Sequence, residues 1–461
     1  MKILLNRSQI IALVLIPLLS AALLFSPAVE LLNQQQTLTA LLIMSGMVLF
    51  ATGALPEYVS ALLIMVLAML MAVAPAEVVF SGLSSTACWL IFSGLVIGIA
   101  ISETGLAQRI SNRFTRHLDS SYIKLISGIV FMGVALGFVM PSSVGRVVLF
   151  IPIALAIAKS CGFEKGSNGQ IGVLMAAAFG SHLPTFAILP ANIPNMIMIG
   201  SAETIHGWTP MFAEYLLLHF PVLGFLKALL IIGIILWLYP DTPKRSAALS
   251  DKTQMSKTEI QLMLVMLTTL AFWMTDSIHH ISTAWIGLAA ATFLLFPGIG
   301  MVSSKSFNEK INISSILVVA GLLSIASLIN YSEISLVFGE RILNWLPISY
   351  GNDLVNFFAL SLTGMFTGVV ATLAGIPATM TPLAEQISQL TGFSLEAVLM
   401  TQVFGFSTIL FTYQSVPLMM AMPIAGIPLH HAAKICLILS LLTVMLLLPL
   451  DYLWWKLLGW I

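Results

Sequence analysis

Runs of about 20 apolar residues recur along this chain, each long enough to cross the hydrocarbon of a bilayer as a helix. They fall near 10–29, 37–54, 58–74, 85–102, 168–190, 213–238, 258–274, 281–296, 314–330, 395–427 and 433–458, eleven in all. Two further segments, 121–160 and 353–391, each hold two apolar arms around a broken centre. Only 8% of the 461 residues are charged, against about 25% in a soluble domain. Water could not solvate a compact particle with so few charges, so a bilayer must. The expected fold is an all-α polytopic membrane protein: about eleven transmembrane helices plus two re-entrant hairpins, in one transmembrane domain. The longest polar stretch, Asp241–Lys257, is too short for a soluble domain.

Several function classes drop out. Lys+Arg and Asp+Glu balance at 19 each, so no basic face exists for nucleic acid. Cys88, Cys161 and Cys436 form no C-x-x-C pair and read as small apolar packing. No H-E-x-x-H, Walker loop or G-x-S-x-G motif occurs, so the reading is not an enzyme and not an ATP-driven pump. Lys2 and Arg7 precede the first apolar run without an A-x-A site after it. That predicts an uncleaved first helix.

Cytoplasmic loops are enriched in Lys and Arg. With the N-terminus inside, the loops holding Arg109, Arg113, Lys165, Lys252, Lys305 and Lys434 fall inside, whereas 30–36, 75–84, 191–212 and 275–280 carry no Lys or Arg. The C-terminus then lies outside the cell (inner) membrane. The count holds only if both broken segments return to the side they left. An internal repeat agrees: "FSGLVIGIAISETGLAQRI" from Phe92 echoes "VAGLLSIASLINYSEISLVF" from Val319. Each copy leads through an amphipathic stretch, Leu106–Phe114 or Ile334–Ile342, into a broken segment. Pro152 lies 58 residues past Gly94, and Pro382 lies 61 past Gly321. The repeats, approximately 80–240 and 305–461, are expected to be inverted, as in secondary transporters with a midplane site. The return arm Ile376–Leu390 carries Thr379, Thr381, Glu385, Gln386, Ser388 and Gln389. Such an arm needs protein or water around it, which favours a re-entrant dip.

Four polar breaks interrupt the apolar pattern: Pro141–Arg146, Ser181–Asn195, Thr372–Thr379 and Thr412–Pro428. Pro184, Pro190 and Pro194 cannot all sit in one regular helix, and neither can Pro417, Pro423 and Pro428. Broken helices expose carbonyls, which coordinate cations, and N-termini, which attract anions. His182 lies inside an apolar stretch and suits either a helix–helix hydrogen bond or a titrating role.

At the hairpins the sequence resembles the divalent anion:sodium symporter family of dicarboxylate, citrate and sulfate carriers. The likeness covers nearly the whole chain. Members carry Ser-Asn-Thr at each hairpin tip with a proline ten residues after the Ser. Here the tips read Ser142-Ser143-Val144 with Pro152, and Thr372-Leu373-Ala374 with Pro382. The Pro-Asn ending of the fifth helix reads Pro194-Asn195, and its counterpart reads Pro417-Leu418. Both tip asparagines are replaced, by Ser143 and Leu373, and an arginine follows the first tip at Arg146.

The resemblance implies a secondary transporter of small anions, di- or tricarboxylates or sulfate, working by elevator-type alternating access as a homodimer in the lipid bilayer. It implies a substrate site at Ser142, Ser143, Arg146, Asn195, Thr372, Thr379 and Ser415. Ser142, Ser143 and Asn192 would serve a cation, with Na+ as the coupling ion. A guanidinium matches a carboxylate or sulfate bidentately, and one fixed arginine can replace one bound cation in the charge balance. Two alternatives stay open: a weakly charged or neutral solute on the same fold, and a non-transporting sensor or scaffold.

Overall fold

The computed structural model describes residues 6–106, 109, 121–140, 142–243, 255–334, 343 and 345–461. The described residues form helices and no strand. Numbering the longer helices in chain order gives α1 Arg7–Leu24, α2 Gln34–Thr52, α3 Glu57–Leu70, α4 Thr86–Thr104, α5 Tyr122–Val139 and α6 Ser143–Ser160. Then come α7 Asn168–Gly180, α8 Ile193–His206, α9 Phe212–Leu238, α10 Lys257–Met274, α11 Thr283–Leu295 and α12 Ile313–Tyr331. The last five are α13 Asp353–Met380, α14 Ala384–Thr391, α15 Leu395–Ser407, α16 Val416–Ala425 and α17 Leu429–Leu457. Each of the eleven apolar runs carries at least one helix. Nine described helical stretches are long and apolar enough to span, and shorter apolar helices supply the rest. This is a multi-pass membrane protein.

The helices begin where the sequence offers caps. Asn6, Asn33 and Ser256 each form a capping box with the Gln or Glu three residues on, satisfying otherwise orphaned N–H groups. Apolar side chains turn outward as well as inward. Leu13, Leu70, Trp237, Leu441 and Leu457 are exposed, as a lipid-facing surface requires.

Both broken segments reverse direction. In the first, the rings of Tyr122 and Phe163 meet at 5.9 Å, so the outer ends of α5 and α6 lie together. In the second, Gly351 N donates to Thr391 O at 3.1 Å. The side chains of Ile376 and Met380 pack over Gly368 and Gly364, which centres that reversal on Thr372. The second turn is narrower than the expected Thr372–Thr379. Thr372 alone leaves the helix, at φ 61 and ψ 172, and Leu373–Met380 are helical again.

Each hairpin is pressed onto the end of the helix that follows it. A Cβ at Gly133 would stand 2.5 Å from Ser181 N, and one at Gly180 2.7 Å from Val130 Cα. In the later half of the chain a Cβ at Gly405 would stand 2.7 Å from Gly364 C. Only glycine permits either approach, the small-residue packing common between membrane helices.

The loops sort onto two faces. Arg109 Nε pairs with Glu259 at 2.6 Å, Lys310 pairs with Glu103, and Gly169 N donates to Asp241 at 2.7 Å. These join the loops grouped together by their basic residues. At the opposite ends, Thr86 donates to Glu203, Phe212 N to Asp276, and Gln36 to Ser332 O. Arg113, Lys252 and most of both amphipathic stretches lie outside the described residues.

Candidate functional site

The chain is interrupted between α7 and α8. Pro184 and Pro190 lack N–H groups, and two 3-10 turns, Pro184–Ala187 and Leu189–Ala191, replace the helix. Helix resumes at Ile193, with Pro194 in the first turn, where its missing N–H costs nothing. The carbonyls this frees are all buried, so each needs a donor. Asn195 Nδ2 lies 3.0 Å from both Phe186 O and Ile188 O and 3.2 Å from Leu189 O. Tyr215 Oη also donates to Phe186 O, at 2.8 Å. Asn195 Oδ1 meets no donor.

Arg146 serves the remainder. It sits in the first turn of α6, fully buried. Its Nε donates to Ser181 O at 2.8 Å. Its Nη1 donates to Met140 O and, at 2.9 Å, to Ala191 O. Its Nη2 donates to Thr185 Oγ1 at 2.8 Å and Asn192 Oδ1 at 3.3 Å. A guanidinium has five N–H donors, and all five are spent on protein oxygens. The fork expected to face a substrate is turned inward here and holds the hairpin turn to the broken stretch. Asn192 Nδ2 donates to Thr185 Oγ1 at 3.1 Å, closing the network. Ser142 caps α6, its Oγ accepting from Gly145 N at 3.1 Å. Ser143 is buried beside it. Pro141 lies outside the described residues.

The later half has the same order of parts: α12, a hairpin, a short helix α15, a break, and α16. Its break spans Thr408–Ser415, four residues ahead of the expected stretch, because Val416-Pro417 can begin a helix. Its chemistry differs. Leu373 and Leu418 are buried in the apolar core. Thr379 Oγ1 bonds back to Gly375 O at 2.9 Å within its own helix. Ser415 Oγ caps α16, accepting from Leu418 N at 3.3 Å, and meets His182 Nε2 at 2.8 Å. That last contact joins the two breaks directly. Ser142, Ser143, Arg146, Asn192 and Asn195 therefore cluster in one place. Ser415 touches that cluster through His182, and Thr372 and Thr379 belong to the second hairpin.

Two buried ionisable residues, Lys227 and Asp451, were missed from the sequence. Lys227, on α9 just past a π-helical turn at Phe220–Leu226, is fully buried. Its Nζ donates to both Ser407 O and Ser407 Oγ at 3.0 Å. Ser407 is the last residue of α15, and Ser181 caps the same end of α7. Asp451, also buried, is on α17, which packs against α9, where Trp454 Nε1 donates to Leu217 O at 3.0 Å. The available signal was a single lysine inside the apolar run 213–238; ionisable residues in such runs are costly and mark function by default.

Comparison with known proteins adds three kinds of likeness. A family model described as "Sodium:sulfate symporter transmembrane region" matches residues 7–461. A protein of Cupriavidus necator named only "Membrane protein" is 23% identical over 71% of this chain and 66% of its own. The Arabidopsis thaliana "Dicarboxylate transporter 2.2, chloroplastic" is 24% identical over 48% of this chain and 43% of its own. The chain thus spans about two thirds or less of the length of these curated relatives. The crystal structure of the Alcanivorax borkumensis YdaH transporter superposes with a TM-score of 0.55 at 15% identity, covering 83% of this chain and 87% of that one. At that identity the likeness concerns the fold.

Proposed function

Because the chain belongs to the sodium:sulfate symporter transmembrane family, a family of membrane transporters of small molecules, we propose that it is a secondary transporter of small anions. The carried class is di- or tricarboxylates or sulfate. The observation that carries this reading is the meeting of two broken helices, each with a hairpin against it, around buried cationic side chains. Arg146 and Lys227 lie fully buried, one at each break, and buried positive charge in a low-dielectric interior favours an anion. The family's description names sulfate, and a relative's name specifies dicarboxylates; both are dianions.

In this reading the two hairpins dip into the bilayer from opposite sides, and the repeats 80–240 and 305–461 are inverted. The anion lies between the tips, near Ser142, Ser143 and Thr372, at the N-termini of α6 and α16. Arg146, with its donors spent on the protein, acts on it through its field and by shaping the turn. Asn192 and Asn195 set the broken backbone, and Ser415 with His182 ties one break to the other. Thr379 supports its own hairpin. The hairpins and broken helices move as an elevator against the remaining helices, in a homodimer. The N-terminus faces the cytoplasm and the C-terminus the outside of a cell membrane.

The test is uptake by proteoliposomes of radiolabelled succinate, citrate and sulfate. Accumulation or counterflow of at least one is expected, abolished by Arg146→Ala. Flux of none of them, in vesicles that hold correctly folded protein, would overturn the reading.

A further inference from the structure

The family's description implies sodium as a co-transported ion, and the polar breaks can be asked whether they would take it. Free Na+ in such carriers is coordinated by unwound backbone carbonyls and the C-terminal ends of half-helices. This chain has such oxygens in both halves. At the first break they are Met140 O, Ser181 O and Ala191 O, with Thr185 Oγ1 and Asn192 Oδ1. At the second they are Ser407 O and Ser407 Oγ. Every acceptor in these two sets is neutral, so neither set balances the charge it holds.

In each half the position is already taken. The Arg146 guanidinium stands among the first five oxygens, and the Lys227 ammonium stands on the second pair. Each lies at the carboxyl end of the helix that enters a break: Ser181 caps α7, and Ser407 is the last residue of α15. There the helix dipole presents negative charge. The two basic residues come from unlike places, Arg146 from the first hairpin and Lys227 from α9. Two different routes thus bring one cation to equivalent ends. A sodium ion at either place would have to displace a tethered group.

We propose that Arg146 and Lys227 are built-in cations, each occupying in its half the oxygen cluster a free monovalent cation would otherwise fill, so that this protein assembles its site without sodium. The inference rests on taking the two breaks as the transport site, but its test needs no transport.

The experiment measures thermal stability of the purified full-length protein in detergent, in sodium, lithium, potassium or choline chloride at equal ionic strength. An ion that binds the native state raises the melting temperature with the logarithm of its concentration. Wild type is expected to melt at one temperature in sodium and in choline. Lys227→Ala and Arg146→Ala vacate their oxygens and should melt lower in choline, then gain stability in sodium or lithium. Should Arg146→Ala fail to fold, Arg146→Lys, which can serve only some of the five oxygens, takes its place and should show a weaker gain. A sodium-specific rise in wild type would overturn the proposal. So would a folded Lys227→Ala that melts identically in all four salts. Loss of anion flux with these stability results intact would remove the transport reading and leave the built-in cations standing.

Discussion

The two breaks are built on one plan and filled with opposite chemistry. Around the first, Arg146 and Asn195 donate to six freed carbonyls, and Thr185 and Asn192 from the break itself hold the guanidinium. Around the second, Leu373 and Leu418 pack as core, and the cation arrives from α9, 180 residues away in sequence. The strain is distributed unequally too. Ser142 turns the first hairpin in an ordinary extended conformation, φ −109, while Thr372 turns the second at φ 61 and ψ 172, a region reserved largely for glycine. The first half thus holds its shape by a dense polar network. The second holds it by apolar packing, one imported charge, one strained residue and a few separate bonds, such as Phe411 N to Gln414 Oε1 and Ser440 Oγ to Ile409 O.

The largest effect that would break this comparison is at Arg146. Arg146→Ala leaves four buried acceptors without a donor, since Thr185 Oγ1 keeps Asn192 Nδ2, at about 1 kcal/mol or more each, so roughly 4 kcal/mol should be lost. Chemical denaturation in detergent measures it. Arg146→Lys should recover part, because an ammonium has three donors for five oxygens. A loss below that of Lys227→Met would reverse the ranking of the two halves.

Lys227→Met comes next, at about 2 kcal/mol, for one carbonyl and one hydroxyl left without a donor. It also leaves Asp451 as a buried acid without its nearby cation. Asp451→Asn should therefore cost less in the Lys227→Met background than in wild type. A double-mutant cycle with additive effects would disconnect the pair.

Thr372→Gly sharpens the strain contrast. Glycine adopts this backbone freely, so stability should rise by about 1 kcal/mol, the relief exceeding glycine's own entropic cost. Ser142→Gly should give no gain, since φ −109 needs no relief and the cap on Gly145 is lost.

The smallest effect lies on the loop face. Arg109 Nε donates to the Glu259 carboxylate at 2.6 Å, with both side chains near the end of the helix bundle. Glu259→Gln removes the charge pair and should cost about 0.5 kcal/mol near neutrality, measured by chemical denaturation in detergent.

Much of the fold was legible because its rules are local. Apolar runs of bilayer length announced the helices, and Pro-Ser-Gly islands announced the turns at 142 and 372. The loops sharing Arg109, Lys257 and Lys310 do lie on one face, since charge sorting needs only the chain's order. Around the first break only proximity was legible: Ser142, Arg146, Asn192 and Asn195 do converge, and their part in binding belongs to the proposal. What Arg146 does with its donors was not legible, because its acceptors at Ser181 and Ala191 are carbonyls, and every residue has one. Lys227 escaped for a related reason. Its meaning depends on which way one helix face points after a π-helical turn, and on Ser407 in a distant segment. The start of the second break at Thr408 rather than Thr412 was also hidden, since Thr408–Phe411 carry no proline or glycine to mark the end of α15.

Counterflow in sodium-free proteoliposomes tests the central claim most directly. Vesicles loaded with unlabelled dicarboxylate or sulfate, buffered throughout with choline, receive trace labelled anion outside. The account predicts that label enters at the same rate as in sodium, because the two cations the site needs are Arg146 and Lys227. Entry that requires sodium and vanishes in choline would contradict it.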